Sequence, residues 1–400
     1  MARKAKAKVE AEGEVKASLS AADRLKSVLA LFKDSDTPVG VASDPEMKQW
    51  LEYERISTGF PALDVVLDGG FPKGKFSVIA GPEQSCKTTL CLYTIADRMR
   101  KHPDALWGWV DAENSFDPKW AANAGVDLDR LVVFKPTIME DMLQSLIEAI
   151  ATGNFDGVVI DSVGGLTPLA EIKKKKDDKS MTRTLTDDSM AGLAKKIGQF
   201  FRMCNETVFQ TKTCCLLIGH VYTPIGNDYV EYEVKGGNAL KHWAHLRVLC
   251  RRRKGDQDAK MDLQMPSGQK KAIFVGYEAV FMVDKTRQGA HQGHEVSIPF
   301  IFGKGLSNTK SVIQSAFAYG VITMAGAWCS HPALPNGKIM GRSAAEEFFE
   351  SNADAFSTLV AQVGTVMAAA EQHESHKIDS LEEQDVEDGS KSQAVEHESS

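Results

Sequence analysis

The run GPEQSCKTT at residues 81–89 carries the densest chemistry in the chain. Its pattern is that of a phosphate-binding loop, G-x-x-x-x-G-K-[ST], with Cys86 standing where the second glycine belongs. In such a loop the backbone of Gly81, Pro82, Glu83, Gln84, Ser85 and Cys86 wraps a nucleoside triphosphate. The N–H groups opening the next helix, that of Thr89 included, face the same anion. Lys87 would reach the β- and γ-phosphates, and the Thr88 hydroxyl would hold Mg²⁺. Cys86 matters only if its position demands a positive φ, where a β-carbon costs roughly 1 kcal/mol or more, or the closest backbone approach, so nucleotide binding is expected to survive the exchange. The bland alternative is a chance turn of similar composition.

Two carboxylates extend this chemistry. Asp161 ends the apolar run GVVIDSV, where it can bind the Mg²⁺ shell through water; the competing reading is an Asp that starts a turn. Glu113 follows a second such run in WVDAENSFDP, at the edge where α/β sheets assemble their sites. A carboxylate there can orient and deprotonate an attacking water, the alternative being an exposed loop acid.

These side chains need a scaffold, and the sequence supplies one. From Ile56 to about Phe302 the runs FSVIAG, LWGWVDAE, GVVIDSV, CCLLIGH, LRVLCRRR and AVFMVDK alternate with helical patterns. Nearly continuous apolar strands point to an α/β fold whose mostly parallel sheet is covered on both faces. Upstream, Leu25, Val28, Leu29 and Phe32 share one face of an expected helix that could dock on a neighbour. Beyond Gly303, SVIQSAFAYGVI and SAAEEFFESNADAFSTLVAQVGTVMAAA, parted by HPALPNGK, read as a small helical domain. The expected organisation is a charged tail and oligomerisation helix over 1–50, a core over 51–303, a small domain over 304–370 and an acidic, unfolded tail over 371–400.

Composition sets limits. With 400 residues, 43% of them hydrophobic, the chain can bury one large core or two smaller ones, and disorder throughout is excluded. A formal net charge of −7 argues against a uniformly basic nucleic-acid coat, so local patches must decide. Seven cysteines without metal-ligand spacing read as reduced thiols of a cytoplasmic protein. The charged start lacks a secretory apolar stretch, and no run of about 18 apolar residues occurs, so no membrane partner is expected. HQGHE, from His291 to Glu295, has two histidines without a further ligand set and reads as surface.

The segments ISTGFPALDVVLDGGFPKGK, GPEQSCKTTL, VDAENSFDPKWAANAGVDLDRL, VVIDSVGGLTPLAEI, KGGNALKHWAHLR and GVITMAGAWCS, in that order between about Ile56 and Gly341, together resemble the RecA-type recombinases. Cys86, and a histidine where that family usually has glutamine, look most like its divergent phage, UvsX-like branch. The resemblance implies a RecA-like ATPase core using ATP and Mg²⁺, with Glu113 activating water. It also implies adenine contacts from Asp117 and Trp120, the latter by stacking, although a core tryptophan is the commoner fate of an indole. His220 falls where the family senses the γ-phosphate and relays the signal to a DNA loop. Lys285 and Arg287 of VDKTR match the two cations that a neighbouring subunit places on the phosphates, a solvated cationic turn being the alternative.

The same resemblance places a first DNA loop in KKKKDDKSMTRTLTDD, with Lys195 and Arg202 on the helix after it. A second loop, VYTPIGNDYVEYEVKGGNALKH, leaves the strand directly after His220. There Ile225 would wedge between base triplets, while Gly236, Gly237 and Asn238 would present N–H and amide groups to phosphate. Tyr222, Tyr229 and Tyr232 offer stacking surfaces, and Arg251-Arg252-Arg253-Lys254 could guide a duplex or simply end a strand. The implied activity is that of an ATPase forming filaments on single-stranded DNA and exchanging strands with homologous double-stranded DNA, in recombination and repair. Single-strand-binding and loading proteins would be its partners, and the acidic tail would either compete with DNA for the basic loops or serve only solubility. Two rivals stand beside it. A hexameric helicase of the same core would need a ring-forming helical segment, and none is read before the core; a nonhydrolysing DNA-binding regulator has Cys86 as its only positive feature.

Overall fold

The computed structural model describes residues 20–33, 39–169, 189–222, 233–234, 237–253, 259–264, 270–287, 292–367 and 369. The chain divides into two units, Met1–Tyr53 and Glu54–Ser400. In the first, α1 (Ala21–Leu31) starts where the Ser20 side chain accepts the Asp23 N–H, and α2 (Pro45–Leu51) starts at a proline. Of the apolar face expected for α1, Leu25, Val28 and the following Phe32 are exposed and Leu29 is half-buried.

The second unit holds the remaining elements. Its first strands are β1 (Arg55–Ile56), β2 (Phe71–Pro72), β3 (Phe76–Gly81), β4 (Trp107–Asp111), β5 (Leu131–Phe134), β6 (Gly157–Asp161), β7 (Cys214–Tyr222) and β8 (Glu233–Val234). After them come β9 (Leu246–Arg252), β10 (Ala259–Gln264), β11 (Lys270–Thr286), β12 (Glu295–Ile301), β13 (Gly305–Leu306), β14 (Thr323–Ala325), β15 (Trp328–Ser330) and β16 (Lys338–Met340). The helices are α3 (Pro61–Val66), α4 (Lys87–Lys101), α5 (Pro118–Asn123), α6 (Met139–Ala151), α7 (Ser189–Thr211), α8 (Gly237–Trp243), α9 (Asn308–Ala318), α10 (Arg342–Ser351) and α11 (353–367).

A large sheet runs in the order β13-β12-β11-β9-β3-β7-β6-β4-β5. From β9 to β5 every pairing is parallel, while β11, β12 and β13 continue it antiparallel. Successive strand residues face opposite sides, so a sheet buried on both faces needs apolar residues at every step. Ile79 of β3 and Val159 of β6 pack with Leu90 and Ile95 of α4 on one side. Their neighbours Val78 and Val158 pack with Leu146 of α6 and Phe201 of α7 on the other. The expected α/β architecture with a mostly parallel sheet is therefore the one observed.

A third apolar cluster joins Val312 and Ile313 of α9, Cys329 of β15, Phe349 of α10 and Leu359 and Val363 of α11. Its region was read as helical, yet it contains the antiparallel sheet β14-β15-β16, turned between the first two strands at Gly326, whose φ is 61°. Strands β5 and β12 were also missing from the expected runs. All seven cysteines are free and buried, and among the described residues no helix is long and apolar enough to cross a membrane.

Candidate nucleotide site

The loop sits at the carboxyl end of β3, between that strand and α4. Its first glycine is imposed by packing, because a β-carbon on Gly81 would lie 2.1 Å from the Cys250 carbonyl oxygen of β9. Cys86 has φ 67° and ψ 20°, in the left-handed region, so the condition under which the missing glycine matters is met. Gln84, at φ 56°, shares that region. Lys87 Nζ donates to the Pro82 carbonyl at 2.6 Å, as does the Ser85 hydroxyl at 2.7 Å. Burial pulls the Lys87 ammonium below its usual range, against the attraction of Asp161 and Glu113.

A cavity of about 410 Å³ opens on the stretch Gln84–Thr89 and is walled by Trp120, Arg252, Tyr277, Phe300 and Phe302. Tyr277 and Phe300 stack with centroids 4.9 Å apart, and Trp120 lies 6.3 Å from Phe300. The Arg252 guanidinium covers the other ring, 4.6 Å from the Tyr277 centroid. Trp120 thus lines the cavity while packing on the core edge. Asp117 is not part of this wall; its Oδ1 caps α5 by accepting the N–H groups of Lys119 and Trp120. A planar base fits against such aromatic faces, beside a loop suited to its phosphates.

Beyond β4, the Glu113 carboxylate accepts a hydrogen bond from the Ser162 hydroxyl, and His220 Nε2 stands 2.9 Å from its Oε1. Burial pushes Glu113 up, but the Ser162 and His220 hydrogen bonds and the charges of His220 and Lys87 outweigh it. The carboxyl is held below its usual range. It is therefore ionised at neutral pH, as a base for water must be. His220 lies directly opposite Gly81 in the β3–β7 register, which ties loop, carboxylate and β7 into one contact chain.

Thr88 Oγ1 donates to Asp161 Oδ2 at 2.9 Å. Burial raises the Asp161 carboxyl to about 6, with the Thr88 hydrogen bond and Lys87 opposing and Glu113 and Asp111 reinforcing. Asp111 faces Asp161 across the β4–β6 register, and its buried Oδ2 accepts no hydrogen bond among the described residues. The Lys135 ammonium stands 4.0 Å from that Asp111 oxygen; crowded carboxylate oxygens beside a threonine hydroxyl fit a hard divalent cation. Among the described residues no group of three or more His, Cys, Asp or Glu forms a cage; Mg²⁺ usually takes only one or two protein carboxylates together with substrate phosphates.

Lys285 and Arg287 lie elsewhere. Lys285 lies at the end of β11 and Arg287 directly follows it; there Lys285 pairs with Arg247 and Thr286 with Leu246, and Leu246 in turn pairs with Ser77 at the start of β3. That is the edge of the sheet opposite the loop. Lys285 Nζ donates to the Lys241 carbonyl at 2.5 Å, and Arg287 donates to the His242 carbonyl, so both cations cap the end of α8. The structure does not bring them to the loop of their own chain.

Among the DNA-facing expectations, Lys195 and Arg202 are exposed on α7, seven residues apart and so on neighbouring positions of one face. Tyr222 is exposed at the end of β7. The first DNA loop, Ile225, Tyr229, Tyr232, Gly236, Lys254 and the acidic tail lie outside the described residues, as do the side chains of Gly237 and Asn238 at the start of α8. Arg251 and Arg253 pair with Glu295 while Arg252 lines the cavity, so these three engage the chain itself. Sequence reading missed Ser162, Tyr277 and Phe300, and offered Arg252 to a duplex or a strand end rather than to the cavity. Only Ser162, next to Asp161, carried a signal by adjacency; the others arrive from strands distant in sequence.

Comparison with known proteins agrees with this geometry. The model of the RecA N-terminal domain matches residues 41–305. A protein named Protein RecA from Caulobacter vibrioides is 32% identical over 337 residues, covering 83% of this chain and 87% of that one. Another from Rhizobium etli is 31% identical over 338 residues, 83% and 86% of the two chains, and one from Chelativorans is 32% identical over 305 residues, 76% and 77%. A phosphate loop on a parallel sheet, an ionised carboxylate in reach of it and sequence likeness over most of the length converge on one conclusion: the chain belongs to the RecA family.

Proposed function

We propose that this chain is an ATP-dependent DNA recombinase, which polymerises on single-stranded DNA with ATP between adjacent subunits and exchanges strands with homologous double-stranded DNA. The observation that carries the reading is the position of Lys285. It pairs with Arg247 of β9, which pairs with Val78 of β3, so it lies two strands away and three residues short of Gly81, where the loop begins; that is about 14 Å. Two cations presented at the far edge of the sheet suit the nucleotide of a neighbouring copy, where they stabilise developing phosphate charge.

In this reading the loop and Lys87 hold the phosphates, Trp120 takes the base, and Glu113 accepts a proton from the attacking water. Mg²⁺, when bound, would neutralise charge on the β- and γ-phosphates; Thr88 and Asp161 are the residues that would hold it. His220 shares Glu113 with the site and opens onto β7, after which the second DNA loop follows. A change in the Glu113–His220 hydrogen bond would therefore reach DNA through a few covalent bonds, which is a coupling between two sites. Lys195, Arg202, Tyr222, Ile225, Gly236, Gly237 and Asn238 are the proposed DNA contacts. Asp117 serves the base by holding α5, and with it Trp120, in place.

The family likeness favours this activity over a ring helicase or a nonhydrolysing regulator. Cys86 and His220 support a divergent, phage UvsX-like member, while the relatives found speak for the RecA family as a whole. The proposal extends to a small carboxy-terminal domain around the third apolar cluster, to residence in the cytoplasm, and to single-strand-binding and loading proteins as partners. The test is ATP hydrolysis with and without single-stranded DNA. Stimulated turnover that vanishes in Lys87→Ala, with helical filaments in negative stain, is the expected result; closed rings, or no turnover until Cys86→Gly restores it, would overturn the reading.

A further inference from the structure

Two non-glycine residues of the phosphate loop, Gln84 and Cys86, sit in the left-handed region, and something must hold them there. Both touch the same group. The Tyr277 hydroxyl donates to the Gln84 carbonyl at 2.9 Å, and Cys86 Sγ lies 3.2 Å from the same phenolic oxygen. A phenol has one proton, which goes to the carbonyl, so the thiol is the donor in the second bond.

Tyr277 is itself fixed on three sides. It extends from the middle of β11 next to Gly276, whose α-carbon leaves no room for a β-carbon, which would lie 2.0 Å from the Phe300 carbonyl oxygen. Phe300 stacks on one face of its ring and Arg252 lies over it. A rigid phenol clamped to the sheet thus reaches across and pins the two loop residues whose backbones are least favourable.

We propose that Tyr277 is a positioning residue for nucleotide binding, and that its bond to Cys86 does the work the second loop glycine does elsewhere. A glycine enters the left-handed region without a steric cost. A cysteine there needs an external partner to keep the loop in the phosphate-binding shape. The pair is therefore coupled: replacing the cysteine by glycine removes much of the need for the tyrosine. This inference rests on the reading of the loop as the ATP site.

The test is a mutant cycle read by fluorescent-ATP binding and by the split between KM and kcat, in the full chain with single-stranded DNA. Tyr277→Phe keeps the ring and its stacking but removes both hydrogen bonds. It should raise KM for ATP about tenfold and leave kcat within about twofold, the pattern of lost binding shared by ground and transition states. In a Cys86→Gly background the same Tyr277→Phe change should raise KM only about threefold, the remainder being the Gln84 bond. In Cys86→Ser, whose hydroxyl can still donate to the phenol, the tenfold effect should return. Equal effects in the cysteine and glycine backgrounds would overturn the coupling, and a fall in kcat with KM unchanged would overturn the positioning role. Lys87→Ala separates the two levels: if it binds ATP as tightly as the parent, the loop is not the ATP site and the reading beneath the proposal fails, whatever the cycle gives.

Discussion

Lys285 and Arg287 should act only on a neighbour's nucleotide, and the structure says how strongly that can be tested. Within one chain Lys285 pairs with Arg247, which pairs with Val78, three residues before Gly81 of the loop. That is about 14 Å, where two unit charges in water interact by about 0.3 kcal/mol before salt, and a Debye length of about 8 Å removes most of that. Lys285→Ala combined with Arg287→Ala should therefore leave ATP binding by isolated subunits unchanged. In filaments the loss should be that of cations on a transferring phosphoryl group, about 10³-fold or more in turnover. The informative assay mixes this double variant with Lys87→Ala, each inactive alone. A productive contact needs an intact loop on one subunit and intact cations on the next, so random 1:1 copolymers should regain about one quarter of parental ATP hydrolysis from a head-to-tail interface. A mixture no more active than its two components, while still forming filaments, would refute action between subunits.

Other substitutions probe the remaining groups. Glu113→Gln should lower ATP turnover by about 10²- to 10⁴-fold and leave nucleotide affinity within a few-fold, measured by steady-state hydrolysis and equilibrium binding. Trp107 is fully buried between the helices and the sheet, so Trp107→Ala should cost about 3–5 kcal/mol in urea unfolding. His245 gives a pH signature. Burial, then the charges of Lys75, Arg287, Arg55 and Lys285, hold its imidazole down at about 4. A histidine depressed in the folded state resists protonation that the unfolded chain accepts, so its contribution is intact above about pH 6.5 and lost as pH falls towards 4, by at most about 3 kcal/mol. His245→Gln should flatten the stability curve over that window; parallel curves for parent and variant would contradict the assignment.

Much of this was legible in the residues. FSVIAG, GVVIDSV and CCLLIGH read as buried parallel strands because both of their faces are apolar, and β3, β6 and β7 are the central strands. The pairing of Thr88 with Asp161 followed from a loop pattern and a strand end. What escaped had physical reasons. In β5 at the edge of the sheet, Val132 and Val133 are part-exposed, so its four residues carry no two-sided pattern. Only AVFMVDK of β11 was visible, since the rest of that strand opens on two lysines and is interrupted by Gly276 along an antiparallel flank. Asp117 was expected at the base and instead caps a helix, a role that Asp before Pro fills as readily. Tyr277 was invisible because its partner Cys86 lies 191 positions away. No spacing rule joins them, and only the β3–β9–β11 pairing brings them together.

Strand exchange between a circular single strand and a homologous linear duplex measures the central claim most directly. Joint molecules and then nicked circles are expected, dependent on ATP and on homology and absent with Lys87→Ala. Vigorous DNA-stimulated hydrolysis that never yields paired products, or duplex unwinding indifferent to homology, would contradict it.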